Sequence, residues 1–256
     1  MLTWIDETCA LPEAAAALGP DDEVPGLVAA GGRVTPARLE EAYRKGIFPW
    51  YGAGQPVLWW SPDPRMVLPV ERFHLTRSLR KTLRRFVHGA DCAIRVDTAF
   101  ARVLSACADT PRDGQQGTWI VPAMRDAYSA WHRMGRVHSV ETWQGGELVG
   151  GLYGVGIGRM FFGESMFSHR TDASKIALAA LVCLCRHRGI TLIDCQQNTA
   201  HLASMGAHEI PREQFLRHVR QAVREPAVDD WTYHAAMWSL LPGVVREAGP
   251  ATDDRA

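Results

Sequence analysis

Glu164, Asp194 and Gln196 are polar side chains placed where the surrounding sequence is almost wholly apolar. The segment from Met160 to Gln196, MFFGESMFSHRTDASKIALAALVCLCRHRGITLIDCQ, sets Glu164 among aromatic and methionine side chains and closes an apolar run with Asp194 and Gln196. A carboxylate in such surroundings costs several kcal/mol unless something pairs with it, so it marks a place for a charged or hydrogen-bonding ligand. On a strand, side chains alternate between faces, so Asp194 and Gln196 are expected to point one way and Ile193 and Cys195 the other. An alternative stays open at this level: Glu164 pairs with an arginine, and the Asp and Gln merely end a strand.

The elements that must hold these groups can be read from their periods. Val121–Met134 and Thr98–Ala108 read as helices, the first with Pro122 in its opening turn. HSVETW, LVGGLYGV and MFFGESMF, separated by QGGE and GIG, read as an antiparallel meander. A helix capped by Asp172 or Thr171 runs through Ile176 to Cys185, so apolar that it is expected to be buried on most sides. Arg186, His187 and Arg188 suit its C-terminal dipole, and Gly189 ends it. A strand over Ile190–Cys195, a short helix over Thr199–Met205 and an amphipathic helix from HEIPREQFLRHVRQAVRE complete the pattern, before a tail from Ala248 expected to be disordered.

The stretch LTRSLRKTLRRF (Leu75–Phe86) is an amphipathic basic helix at about 100° per residue. Leu75, Leu79, Leu83 and Phe86 share one face, and Arg77, Arg80, Lys81, Arg84 and Arg85 the other. Cations without one intervening acid make a phosphate footprint, set against the plainer reading of a solvated face. The first 65 or so residues, rich in Gly and Pro, show one clear helix, near Pro36–Lys45, and an aromatic cluster of Phe48, Trp50, Tyr51, Trp59 and Trp60 of which most members are expected to pack on a neighbour and others to contact a ligand. Pro62 and Pro64 bracket Asp63 and disfavour helix there. The expected divisions are 1–63, a small domain; 64–245, the main domain; and 246–256, the tail.

Composition narrows the classes. The chain of 256 residues carries 28 Lys and Arg against 28 Asp and Glu, so attraction to nucleic acid or membrane has to come from a local patch. The six cysteines lack CxxC spacing, which argues against zinc and against a secreted disulfide framework. MLTWIDETCALPEAAAAL has acids where a signal peptide has lysine or arginine, and no apolar run approaches the roughly 20 residues needed to span a bilayer. A cytoplasmic protein with no membrane contact is expected.

Meander, buried helix, strand and short helix is the order of an acyltransferase of the acetyltransferase (acyl-CoA N-acyltransferase) superfamily, giving an α+β fold with a small loop-rich domain packed on an acetyltransferase-like α/β domain. Acyl-CoA users open their central helix with a glycine-rich turn that holds pyrophosphate. SHRTDASK has no such glycines, and Gly154, Gly156 and Gly158 read as hairpin turn, so coenzyme A is disfavoured.

The motifs GIFPWY, LWWSPDPR, GTWI, VHSVETW, LVGGLYGV, FFGESMFS, ASKIAL, LIDCQ and GAHEIPR resemble those of the leucyl/phenylalanyl-tRNA–protein transferases, over roughly residues 20 to 220. The resemblance implies an enzyme, without metal or cofactor, that moves Leu or Phe from Leu-tRNA or Phe-tRNA onto the α-amine of proteins beginning with Lys or Arg, feeding N-end rule degradation. It implies that Gln196 accepts a hydrogen bond from the attacking amine, with Asp194 supporting it. A neutral amide is too weak a base to keep a proton, so its role is orientation of an amine whose ordinary pKa is about 7.7 to 8.0. Glu164 or Asp194 then takes the proton or holds the acceptor cation.

By the same resemblance Leu152, Met166, Leu178, Leu181 and Ile193 line the amino-acid pocket, while Trp50, Trp119 and Tyr128 lie near the tRNA end, where the terminal adenosine needs a flat partner. The basic helix grips the acceptor stem through phosphates. A monomer is expected. An insertion-like DGQQ before GTWI and a different C-terminal tail are the departures. Two rival classes, an acyl-CoA N-acetyltransferase and a non-catalytic RNA-binding module, explain the polar cluster less well.

Overall fold

A computed structural model describes residues 2–110 and 118–245; the DGQQ segment and the tail from 246 lie outside them. The N-terminal region builds a sheet from β1 (Thr3–Ile5), β2 (Leu27–Gly31), β3 (Phe48–Pro49) and β4 (Leu58–Trp60), in the order β1-β2-β4-β3. Helix α1 (Pro36–Arg44), capped by the Thr35 hydroxyl, lies between β2 and β3. Only that helix was legible in the sequence, because strands of two to five residues are too short to display a period.

The second sheet has seven strands. Strand β5 (Arg65–Pro69) leads to α2 (Arg77–Val87), edge strand β6 (Cys92–Val96), α3 (Phe100–Asp109) and α4 (Pro122–Arg133). The meander follows as β7 (Val137–Gln144), β8 (Glu147–Ile157) and β9 (Met160–Ser168), then α5 (Ala173–Arg188) and β10 (Leu192–Gln196). Short α6 (Ala200–Ala203), β11 (His208–Ile210) and α7 (Arg212–Ala222) close the order β11-β5-β10-β9-β8-β7-β6.

Helix α5 is buried from Ala173 to Cys185 apart from Lys175, with β7, β8 and β9 on one side and a 3-10 turn at Ala235–Leu240 on the other, which explains its nearly all-round apolar sequence. Helices α3 and α4 cover the opposite face of the sheet. Leu79, Leu83 and Phe86 turn α2 into the core on the α5 side.

Several expectations need correction. Gly154 and Gly156 lie inside β8, and only Gly158, at φ 60°, serves the hairpin turn. The reason is crowding: a Cβ at Gly154 would meet the Phe161 ring at 2.5 Å, and one at Gly156 the Trp231 ring at 2.6 Å. Asp172 precedes α5 but takes a left-handed backbone at φ 64° and makes no capping bond, its carboxylate receiving instead Lys175 Nζ at 2.8 Å. The segment from His208 does not form one helix; it pairs with β5 first, and α7 begins only after Pro211, because the residue before a proline is pushed toward extended backbone.

Candidate active site

Strands β9 and β10 run parallel but pair only at Ile193↔Phe161 and Asp194↔Phe162. Beyond that point β9 continues to Ser168 while β10 ends at Gln196. A cavity of about 600 Å³ is lined there by residues of both strands, with α5 contributing Leu178 and Leu181 and the N-terminal region Phe48 and Trp50.

Glu164, Asp194 and Gln196 all line it. The simple alternation expected of Asp194 and Gln196 is broken: Asp194 pairs with Val67 and Gln196 with the adjacent Met66, leaving Cys195 as a bulge. Gln196 adopts φ 62°, a backbone region sparsely populated by residues other than glycine. Two bonds hold it there. Its backbone N–H donates to Asp194 Oδ1 at 2.9 Å, and its side-chain Nε2 donates to Glu164 Oε1 at 2.9 Å.

The arginine anticipated for Glu164 belongs to Asp194. Arg65, fully buried on β5, donates Nε to Asp194 Oδ1 at 2.8 Å and Nη2 to Oδ2 at 2.6 Å. Its guanidinium lies between the rings of Phe48 and Phe215, at 4.7 and 4.5 Å. A bidentate pair of this kind satisfies a buried carboxylate that would otherwise be prohibitive.

Glu164 is held by tyrosines. Tyr43 of α1 donates its hydroxyl to Oε1 at 2.6 Å and Tyr128 of α4 to Oε2 at 3.0 Å, the two hydroxyls being 2.6 Å apart. Burial pushes the Glu164 carboxyl up to about 7, against the lowering effect of the two tyrosine hydrogen bonds; Asp194 raises it and Arg65 lowers it. Both tyrosines are held well above their ordinary range, by burial first and then by Glu164.

Of the other sequence candidates, Trp50, Trp119, Leu152, Met166, Leu178, Leu181 and Ile193 line the same cavity. Tyr128 does not: its ring is fully enclosed, edge-on to Tyr153, and its hydroxyl serves Glu164, so no face is open to a base. Arg77, Arg80, Lys81, Arg84 and Arg85 are all exposed on α2, away from the cavity wall, with Arg84 Nε donating to the Gly243 carbonyl at 2.6 Å.

Sequence reading missed Arg65, Tyr43 and His201, which also lines the cavity and whose imidazole is held below its usual value by burial and by Lys175. Arg65 closes the LWWSPDPR motif, and Tyr43 falls with Leu39 and Ala42 on the buried face of α1; neither signal names its partner. Among the described residues no cluster of His, Cys, Asp and Glu could hold a metal ion, and no helix is long and apolar enough to cross a membrane.

Comparison with known proteins gives a consistent answer. Residues 67–220 match the model of the family described as leucyl/phenylalanyl-tRNA protein transferase, and residues 32–63 that of its N-terminal domain. A leucyl/phenylalanyl-tRNA–protein transferase of Methylibium petroleiphilum is 62% identical over 94% of this chain and 91% of its own. One from Leptothrix cholodnii is 58% identical over 94% and 95%, and one from Burkholderia vietnamiensis 52% identical over the full length of both.

Proposed function

This chain belongs to the leucyl/phenylalanyl-tRNA–protein transferase family, and from its site we propose that it transfers Leu or Phe from aminoacyl-tRNA to the α-amine of proteins beginning with Lys or Arg. It is a tRNA-dependent aminoacyltransferase. The observation that carries the proposed roles is the chain of contacts from Arg65 through Asp194 and Gln196 to Glu164, at the wall of an otherwise apolar cavity.

In the reaction the amine nitrogen attacks the ester carbonyl carbon. A C–N bond forms, the C–O bond to the terminal ribose breaks, the amine gives up a proton and the ribose oxygen gains one. The step is a downhill exchange of ester for amide in which orientation is the main task. Because Glu164 accepts the amide N–H of Gln196, the Gln196 carbonyl oxygen is the end left to accept from the incoming amine.

Glu164 receives the proton. Asp194 has both oxygens on Arg65, whereas Glu164 titrates near 7, matched to an amine at neutral pH. Its negative charge, in a cavity where Asp194 is already neutralised, also favours a cationic acceptor residue. Leu152, Met166, Leu178, Leu181 and Ile193 take the Leu or Phe side chain, with Met166 adapting to either shape. Trp50 and Trp119 stack the terminal adenosine, and the basic face of α2 holds the acceptor stem.

The parallel split of β9 from β10 beside a buried helix supports assignment of the catalytic region to the acyl-CoA N-acyltransferase superfamily. The change from the four-stranded to the seven-stranded sheet between Trp60 and Arg65 supports a domain boundary at 63/64. A soluble donor and acceptor suit the cytoplasm, as does membership in the N-end rule route.

The test is transfer of labelled Leu or Phe from tRNA to peptides beginning with Arg, Lys or Ala. Label is expected on the first two only, with ribonuclease abolishing it and Glu164→Ala slowing it by two orders of magnitude or more. Equal labelling of the Ala peptide sinks the acceptor reading.

A further inference from the structure

A second hollow of about 570 Å³, on the α3 and α4 side of the sheet, is lined by Arg95, Arg102 and Arg133, with Trp143 at its floor. The guanidinium of Arg95 lies 4.5 Å from the Trp143 ring centre and that of Arg102 5.2 Å from it. The ring itself is fixed, because its Nε1 donates at 2.9 Å to Glu141, which also accepts the Ala99 N–H at the start of α3. Arg95, Arg102 and Arg133 are exposed and make no ion pair among the described residues. The half-buried carboxylate in the hollow, Asp97, is already engaged by His138 Nδ1 at 2.7 Å and the Ser139 N–H at 2.8 Å. Two like charges held close to one indole ring repel each other, a repulsion that a bound anion relieves, and holding them in place beforehand lowers the entropy lost on capturing one.

We propose that this hollow is a second phosphate-binding site, taking a phosphodiester of the donor tRNA on the face of the sheet opposite the basic helix. Its position favours RNA over a free anion for two reasons. Edge strand β6 carries Arg95 toward the α3 side while Cys92, Ile94 and Val96 face the core beneath α2, so the two basic patches sit astride one sheet edge as a saddle. Helix α3 begins at the hollow with Phe100 and its C-terminal neighbour Thr110 lines the transfer cavity, so the two sites lie about 15 Å apart along that helix. A strand stacked at about 3.4 Å per nucleotide covers that distance in a few residues from its 3′ end.

The inference rests on tRNA being the donor, and its test reads binding and not transfer, so the two fail separately. Fluorescence anisotropy with labelled tRNA is followed from low to moderate salt for the full chain, for Arg95→Gln/Arg102→Gln and for Arg133→Gln. The double variant is expected to bind several-fold more weakly at low salt, with the slope of log affinity on log salt shallower by up to about one. Arg133→Gln moves the slope the same way by a smaller amount, and both variants keep wild-type rates with a minimal aminoacyl-adenosine donor. An unchanged slope and affinity in both variants overturns the proposal. So does saturation of the hollow by inorganic phosphate or ADP that leaves tRNA affinity untouched, since the site would then serve a free anion.

Discussion

At the scale of single residues, Glu164 is governed by opposing influences of which burial is the larger. Burial drives its carboxyl up from 4.5 to about 7, and the hydroxyls of Tyr43 and Tyr128 restrain that rise. If the ionised form accepts the proton, activity rises with pH through the neutral range. Tyr43→Phe removes a hydrogen bond that favours the anion, so the carboxyl moves further up and the acidic limb of kcat/KM shifts to higher pH. A hydrogen bond to a charged group contributes about 1.5 kcal/mol, or about one pKa unit, so roughly sixfold is lost at pH 7, where about half of the carboxyl is ionised to begin with, and most of it is recovered at alkaline pH. A pH–rate profile checks this; a uniform drop at every pH would assign Tyr43 to packing alone. Arg65 is the second case. Arg65→Met strands the Asp194 charge in a site with no exposure and is expected to cost about 3 to 5 kcal/mol in denaturant unfolding, and Arg65→Lys, which cannot donate in a fork, recovers only part of it.

At the scale of elements, the cavity owes its existence to two short irregularities. The bulge at Cys195 turns Gln196 out of the alternation that its neighbours obey, and the brief parallel pairing of β9 with β10 lets the strands part beside Glu164. Strand β8 must lie close against β9 for that geometry to hold. Gly154→Ala would press a methyl against the Phe161 ring and the Phe162 carbonyl, neither of which can retreat from the core. A loss of about 1 to 3 kcal/mol is expected, measurable as a shifted denaturant midpoint with unchanged slope. Wild-type stability in that variant would mean that the meander is looser than its packing indicates.

At the scale of the whole molecule, equal numbers of acidic and basic residues conceal a strong local field. The α2 cations are exposed on one side of the β6 edge, and their apolar neighbours anchor that helix in the core. Charge reversal at Arg80 and Arg84 is expected to weaken tRNA capture by more than tenfold at low salt, with the difference fading as salt rises, while a minimal aminoacyl-adenosine donor reacts normally. Filter binding across a salt series measures this, and an unaltered affinity would reduce that face to solvated surface. The N-terminal region is tied to the same chemistry, since Tyr43 and Phe48 reach from it to Glu164 and Arg65.

Long periodic segments made much of the molecule readable in advance. The meander, the nearly all-apolar α5, the basic stripe on α2 and the anomaly of Glu164 within FFGESMF are local patterns, written in spacing and side-chain type. Which partner each polar group takes is not local. Arg65 and Asp194 are 129 positions apart, and Tyr43 and Glu164 121 apart, so only folding brings them together. For the same reason the sequence could require that a buried carboxylate be compensated yet could not assign the arginine to Asp194 and the tyrosines to Glu164. The bulge, the short strands and the placement of Tyr128 behind the cavity wall were likewise decided by packing, because hydrogen-bond closure and steric fit act between elements and leave no period in the chain.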